Sequence, residues 1–450
     1  MRNSIGDNQT DSQLVPADVS PFQIAVITIC ILINAVEGYD VLVMAYVAPA
    51  VARTWALSGG QLGVLFSASL LGIAVGALIL SSWSDRAGRR PVALGCLALI
   101  SAGMLLSSFA HDLAAMAAAR VVTGIGVGGL LACTNVLVAE HAPLRLRSSA
   151  ISLLGAGYTA GAMSGGMLAR WLLETSGWRA AFMAGAGLSL ILLLVAALLL
   201  PESIAFLLSR RPANALERLN RVLRSMRQPE LATLPPPRNG PPHTHGRVRQ
   251  LFGNGNRGRT IALWVAAFMQ LSSLYFTLSW TPKLLAASPL TQPLAIRAGV
   301  ALNLGGLAGS LLFSVIAQRF DLRKLTAMLL LLTALAAALF GVLVTQPTLI
   351  EPLAALVGLC AFASMSGIWS IAPALYPTAA RGQGVGWAVS VGRVGAILSP
   401  FIAGMLADAG VASSSLYVVF SVPFACAALA ILMLAAPIGK ANVDESREPA

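Results

Sequence analysis

The chain has 450 residues, 57% hydrophobic and only 11% charged, and apolar runs of about 20 residues recur from end to end, which excludes a soluble globular protein and marks a polytopic membrane protein. The formal net charge of +12 does not point to nucleic acid, because no aromatic residues interleave with the basic ones, which sit in short tracts between apolar spans. Five cysteines, Cys30, Cys96, Cys133, Cys360 and Cys426, lie within apolar runs without close spacing, so neither a disulfide framework nor a zinc site is indicated.

Residues 1–21 are a polar tail with no apolar core before a cleavage site; no removable signal peptide is predicted, and the first span itself directs insertion. Breaking the apolar runs at charges, prolines and turn residues predicts twelve spans, near 22–48, 61–80, 91–110, 113–139, 149–170, 179–200, 260–286, 297–317, 324–344, 351–376, 382–407 and 412–436. The fold class is therefore an all-α polytopic membrane protein of twelve transmembrane helices. Its expected organisation is a tail (1–21), a first six-helix half (22–200), a linker (201–259), a second six-helix half (260–436) and a second tail (437–450). An even number of spans puts both termini on one side. If that side is cytoplasmic, its segments hold 23 Lys/Arg against 5 outside, and 12 against 5 without the long linker, so the charge bias sets both termini inside a bacterial-type inner membrane.

Span one, ILINAVEGYDVLVMAYV over 31–47, carries Glu37 and Asp40 inside an otherwise apolar stretch. At i and i+3 they share one helical face, and an ionisable group at membrane depth is by default a functional residue. Gly38 between them permits close approach of a helix or a ligand. Span four contains Arg120 and the glycines Gly124, Gly126, Gly128 and Gly129. Those glycines read as a helix-packing face; no Lys-Ser/Thr follows to make a phosphate loop, so energy is expected from an ion gradient rather than ATP. Span eleven contains Arg393. Counting helical rise, Asp40 lies roughly 13 Å and Arg120 roughly 11 Å from the outer end, with Glu37 and Arg393 each roughly 18 Å deep. These pairs are expected to be level.

The linker begins with Ala213 to Arg224, where Leu216, Leu219, Val222 and Leu223 alternate at helical spacing with Glu217, Arg218, Arg221 and Arg224, as in an amphipathic helix at the membrane surface. Beyond it, Pro235 to Pro237 and the GNGNRGR stretch read as flexible. His243 and His245 have no acidic or cysteine companions and read as a solvated tail rather than a metal site. Matches across the linker suggest duplication: Arg86 with Arg319, Arg145 with Arg381, and GMLA at Gly166 with GMLA at Gly404, at offsets of 233, 236 and 238. Two six-helix halves with a site near the midplane follow from such repetition.

SDRAGRRP between spans two and three, Arg120 followed by GIGVGG, and PES at Pro201 to Ser203 resemble the major facilitator superfamily over essentially the whole chain. Within it, the acid-Gly-aromatic-Asp pattern at Glu37 to Asp40 and YPTAARGQGVGWAVSVGRVGAILSP from Tyr376 are similar to the aromatic acid:proton symporters. Glu37 stands where that pattern usually has Asp, Ser81 where the loop motif usually has Gly, and Gln318 where its second copy commonly has Asp. Ala162 stands where proton-coupled drug exporters carry a Gly-Pro pair, which counts against export.

On this reading Glu37 and Asp40 handle a coupling proton, and Arg393 or Arg120 meets a substrate carboxylate. A carboxylate beside Arg⁺ keeps its charge, and takes up a proton when the Arg turns to another anion. Two plainer readings stand beside it: a fixed Asp40–Arg120 pair tying span one to span four, and an Arg393 that snorkels or bonds carbonyls. Tyr39 and Trp387 are the aromatic candidates for the site; Trp264, Tyr275, Phe276, Trp280 and Trp369 read equally as packing or interface anchors. The resemblance assigns Asp85, Arg86, Arg89 and Arg90 to gating at the inner mouth, with Glu140 and Arg147 bracketing the next inner loop; the arginines alone would also serve topology.

The expected function is a secondary transporter, not an enzyme, importing a small aromatic carboxylate of the benzoate or hydroxybenzoate class by proton symport. Its expected partners are the organic anion, protons and the bilayer, with no cofactor, metal, nucleic acid or protein partner implied. Non-aromatic organic anions, a drug or organic-cation exporter, and a transporter-like membrane sensor are the alternatives.

Overall fold

The computed structural model describes residues 19–143, 145–235, 257–286, 292–344, 346–376 and 378–434. His243 and His245 lie outside them. The described residues form helices with no strand among them, in two compact units divided between Gly240 and Pro241.

The first unit contains α1 (Pro21–Trp55), α2 (Gly59–Ala87), α3 (Arg89–Phe109), α4 (Leu113–His141), α5 (Arg147–Thr175) and α6 (Trp178–Leu199), followed by the short α7 (Ile204–Arg210) and α8 (Ala215–Ser225). The second contains α9 (Arg257–Ala286), α10 (Gln292–Ile316), α11 (Leu322–Val342), α12 (Pro347–Ile371), α13 (Thr378–Asp408) and α14 (Ser413–Leu432), with a 3₁₀ turn at Ala372–Leu375. Eleven of these helices are long and apolar enough to cross a membrane. The twelfth long helix, α5, runs for 29 residues; the Gly, Ser and Thr of its GAGYTAGAMSGG segment dilute its hydropathy.

Local chemistry sets the ends. Ser20 caps α1 and Gln23 returns the bond, with Pro21 opening the helix; Ser58 and Gln61 repeat the device at α2. Span one extends further than its sequence suggests. Pro49 sits inside α1, which continues to Trp55 before Ala56 turns left-handed at φ 49°, because a helix at membrane depth must satisfy its own backbone and so carries its prolines rather than unwinding. Gly88, at φ 102°, makes the sharp turn between α2 and α3 that L side chains resist.

Packing in the two units follows one scheme. In the first, α1 packs on α5, α2 on α4, and α3 on α4 and α6; in the second, α9 packs on α13, α10 on α12, and α11 on α12 and α14. Glycines set these crossings to the same register. A Cβ on Gly72 would stand 2.3 Å from the Val121 carbonyl oxygen, and one on Gly76 would stand 2.1 Å from that of Ile125. The same contact recurs with the glycine 233 residues later and its partner 234 later, where Gly305 faces the Ala355 carbonyl oxygen at 1.9 Å and Gly309 faces that of Leu359 at 2.0 Å. Small residues are what let membrane helices pack backbone to backbone.

Candidate functional site

Within the first unit α1 is held from two sides. On one, Gly38 and Gly161 bring α1 against α5: Cβ atoms there would fall 2.0 Å from the Tyr158 carbonyl oxygen and 1.8 Å from that of Ala35. On the other, Arg120 of α4 donates to the Asp40 carboxylate at 2.7 Å, to the Asp40 backbone carbonyl at 2.7 Å and to the Ser69 hydroxyl of α2 at 3.2 Å. Both side chains are fully buried. The guanidinium also lies 5.9 Å from the Phe182 ring centroid. Charges with no water to solvate them are stable only when paired and hydrogen-bonded together, and this pair has both.

Glu37 is 1% exposed and one helical turn before Asp40. Tyr39 points elsewhere. Its hydroxyl donates to the Ala181 carbonyl of α6, and its ring is wedged against Gly165 and Gly185, where added Cβ atoms would each lie 2.7 Å from it. In the second unit Arg393 is half-buried on α13, and Trp387, on the same helix, stacks on Trp264 of α9 with ring centroids 5.8 Å apart. Tyr376, between spans ten and eleven, bonds Thr260 at 3.3 Å, and burial pushes its phenol above the ordinary range, partly offset by that bond.

The shared register identifies counterparts. Gly161 faces the Ala35 carbonyl as Gly395 faces that of Phe268, 233 residues on along α9, and Gly124 faces the Ser69 carbonyl as Gly358 faces that of Leu302. Carried along the helices, Glu37 corresponds to Gln270, Asp40 to Ser273 and Arg120 to Ala354. The ion pair thus has no counterpart at these positions among the described residues of the second unit. Gln270 donates to the Ala361 carbonyl at 2.8 Å and leaves its Oε1 without a partner among the described residues, as does the Ser273 hydroxyl. Where Arg120 fills the first bundle, Ala354 borders a narrow gap, too small to admit a water, also lined by Thr277, Leu302 and Tyr417.

A second cluster closes one end of the first unit. Arg89 pairs with Asp85 at 3.2 Å and with Glu140 at 3.8 Å, and donates to the Ser203 hydroxyl at 2.8 Å. Glu140 in turn accepts from Ser203 Oγ and the Ile204 backbone N–H, both at 2.8 Å. Glu202 accepts from the backbone N–H groups of Arg89, Arg90 and Ser203 through one oxygen, capping α3 in place of a residue of its own strand of sequence. Arg90 also reaches the Ala197 carbonyl at 2.6 Å, and Arg210 reaches that of Asp85 at 3.0 Å. Arg86 is exposed, and Arg147 is half-buried at the start of α5. Glu202, Ser203 and Arg210 are additions to the sequence reading; the PES motif was the signal for the first two.

The amphipathic helix of the linker forms as α8, but its apolar side is not free for lipid. Leu219, Val222 and Leu223 pack on Ile204, Phe206 and Leu207 of α7, with Phe22 of α1 against the same cluster. Two short helices joined by a tight turn bury each other's apolar faces more completely than a bilayer surface would.

Comparison with known proteins places the chain in context. The Major Facilitator Superfamily model matches residues 30–400. The gallate transporter of Pseudomonas putida is 32% identical over 92% of each chain. The 4-hydroxybenzoate transporter PcaK of Acinetobacter baylyi is 30% identical, over 93% of this chain and 92% of that one. Among solved structures, the inward open xylose transporter XylE from E. coli superimposes with a TM-score of 0.74 at 18% identity, over 93% of this chain and 98% of that one. A bacterial homolog of the human lysosomal transporter Spinster gives 0.68 at 18% identity, over 93% and 95%.

Proposed function

The chain belongs to the major facilitator superfamily, and from that premise we propose that it imports a small aromatic carboxylate by proton symport, working by alternating access as a multi-pass protein of a bacterial inner membrane with both termini cytoplasmic. The observation that carries the coupling is the fully buried Asp40–Arg120 pair with Glu37 one turn away. A pair sealed from water holds a proton acceptor ready, and loosening it by any pull on the arginine makes the carboxylate take up a proton. The relatives that transport gallate and 4-hydroxybenzoate support the substrate class.

Roles follow from exposure and charge. Asp40 and Glu37 carry the coupling proton, and Arg120 sets when Asp40 releases it. The substrate carboxylate goes to Arg393, which is half-buried while Arg120 is fully enclosed. Tyr39 and Trp387 shape the surroundings of these charges rather than bonding the acid directly. Asp85, Arg86, Arg89, Arg90, Glu140 and Arg147, joined by Glu202 and Ser203, form the inner gate. The division into two six-helix halves around the linker supplies the two bodies that alternate.

The test is uptake of radiolabelled 4-hydroxybenzoate and benzoate into proteoliposomes, under an inward proton gradient that is then collapsed with an ionophore. Accumulation of either acid that vanishes with the gradient supports the proposal. Uptake indifferent to the gradient overturns coupling, and folded protein that moves neither acid overturns the substrate class. Arg393→Gln is expected to raise KM by about tenfold with proton coupling intact, the loss of one charge-assisted bond.

A further inference from the structure

We propose that the α7–α8 hairpin is a binding site for the headgroups of anionic phospholipids. Because the apolar side of α8 is closed by α7 and Phe22, the hairpin cannot anchor by inserting into hydrocarbon. What it presents outward is its opposite side, where Arg218, Arg221 and Arg224 recur every third residue, all exposed. Arg210, Arg211 and Arg227, at the helix ends, are exposed as well.

Six arginines stand here against two acidic neighbours. Arg221 pairs with Glu217 at 3.2 Å and Arg224 with Glu230 at 2.6 Å, but each arginine side chain is 73% exposed. Pairs so exposed hold weakly and exchange partners freely, so the face keeps a surplus of four positive charges, and Arg210 and Arg211, which donate to the Asp85, Leu208 and Pro235 carbonyls, are exposed with guanidinium nitrogens to spare. Guanidinium meets phosphate oxygens with two parallel bonds, which suits a headgroup better than a diffuse counterion.

Position selects the bilayer over other polyanions. Phe22 belongs to the first turn of α1 and packs into the hairpin's own core, while α7 follows α6 after four residues. The arginine face is thereby tethered where two spans meet the headgroup layer, and clusters of four to eight basic residues at that level are attracted to anionic lipid. The bond from Arg210 to the Asp85 carbonyl joins the same hairpin to the Asp85–Arg89–Glu140 cluster.

Native mass spectrometry of the purified full-length protein, titrated with phosphatidylglycerol or with phosphatidylcholine of the same acyl chains, tests the assignment apart from transport. Phosphatidylglycerol is expected to be retained at concentrations about tenfold lower than phosphatidylcholine. The triple variant Arg218→Gln, Arg221→Gln, Arg224→Gln should lose that preference, and the charge-matched variant Arg238→Gln, Arg247→Gln, Arg249→Gln should keep it. Glu217→Gln with Glu230→Gln, which frees two arginines without touching the basic face, should strengthen retention by about twofold or more. The proposal is overturned by equal retention of the two lipids, by equal loss in both triple variants, or by a glutamate variant that binds no more phosphatidylglycerol than the parent; capture of inorganic phosphate in place of lipid would likewise overturn it.

Discussion

Arg120 grips Asp40 through two different oxygens, one of the carboxylate and one of the backbone, both at 2.7 Å. The second bond does not depend on the charge of Asp40. A proton can therefore arrive on the carboxylate while the arginine stays tied to α1, so the two helices need not separate for the pair to change state.

Asp40→Asn should keep exchange of labelled acid across proteoliposomes and lose accumulation driven by a proton gradient. Removing one partner of a buried pair strands the other charge, so a stability loss of about 3–5 kcal/mol is expected as well. Measuring counterflow and gradient-driven uptake per folded molecule separates the two effects. If both fall together after correction for folded protein, the pair only ties span one to span four.

Gly38→Ala and Gly161→Ala should each lower the thermal unfolding midpoint markedly, because their Cβ atoms would fall 2.0 Å and 1.8 Å from carbonyl oxygens across the α1–α5 crossing. Backbone cannot yield as a side chain tip can, and overpacking of this kind costs about 1–3 kcal/mol or more. Gly155→Ala and Gly187→Ala, with nothing within 4 Å of the added atom, are the controls and should leave the midpoint unchanged. A thermal shift series on the four purified variants decides it.

Glu202→Gln should slow turnover while leaving equilibrium binding of the acid near the parent value. One Glu202 oxygen caps α3 through the N–H groups of Arg89 and Arg90, placing the Arg89 guanidinium between Asp85, Glu140 and Ser203. Weakening the cap to a neutral acceptor loosens that placement by about 1 kcal/mol. A variant that loses binding and turnover in proportion would show that the cluster holds the fold and not a gate.

Much of this was legible in advance because intramembrane charges are rare and helical rise is fixed. Asp40 and Arg120 are level by counting residues, and they meet. The duplication was visible in scattered matches at offsets from 233 to 238, although the register that matters is carried by Gly72, Gly76, Gly305 and Gly309. Side-chain direction was not legible. Tyr39 neighbours Asp40 in sequence, yet a step of one residue turns it about 100° around the helix, toward α5 and α6 and away from Arg120. Nor could the sequence say what covers the apolar side of α8, since lipid and a second helix satisfy the same pattern. Glu202 acts across more than a hundred residues, a distance no local spacing encodes.

The second unit supplies the sharpest contrast for coupling. At the positions of Glu37, Asp40 and Arg120 it carries Gln270, Ser273 and Ala354, none of which titrates, and only a narrow gap borders Ala354 where the first unit has the guanidinium. If the coupling proton belongs to the first unit alone, Ser273→Ala and Ala354→Val should leave the accumulation ratio at the parent value, whereas Asp40→Asn and Arg120→Gln collapse it. Gradient-driven uptake across the four variants reads the outcome. A collapsed ratio in Ser273→Ala would mean that the hydroxyl with no partner among the described residues takes part in proton transfer, and that the two units share the coupling despite carrying the ion pair only once.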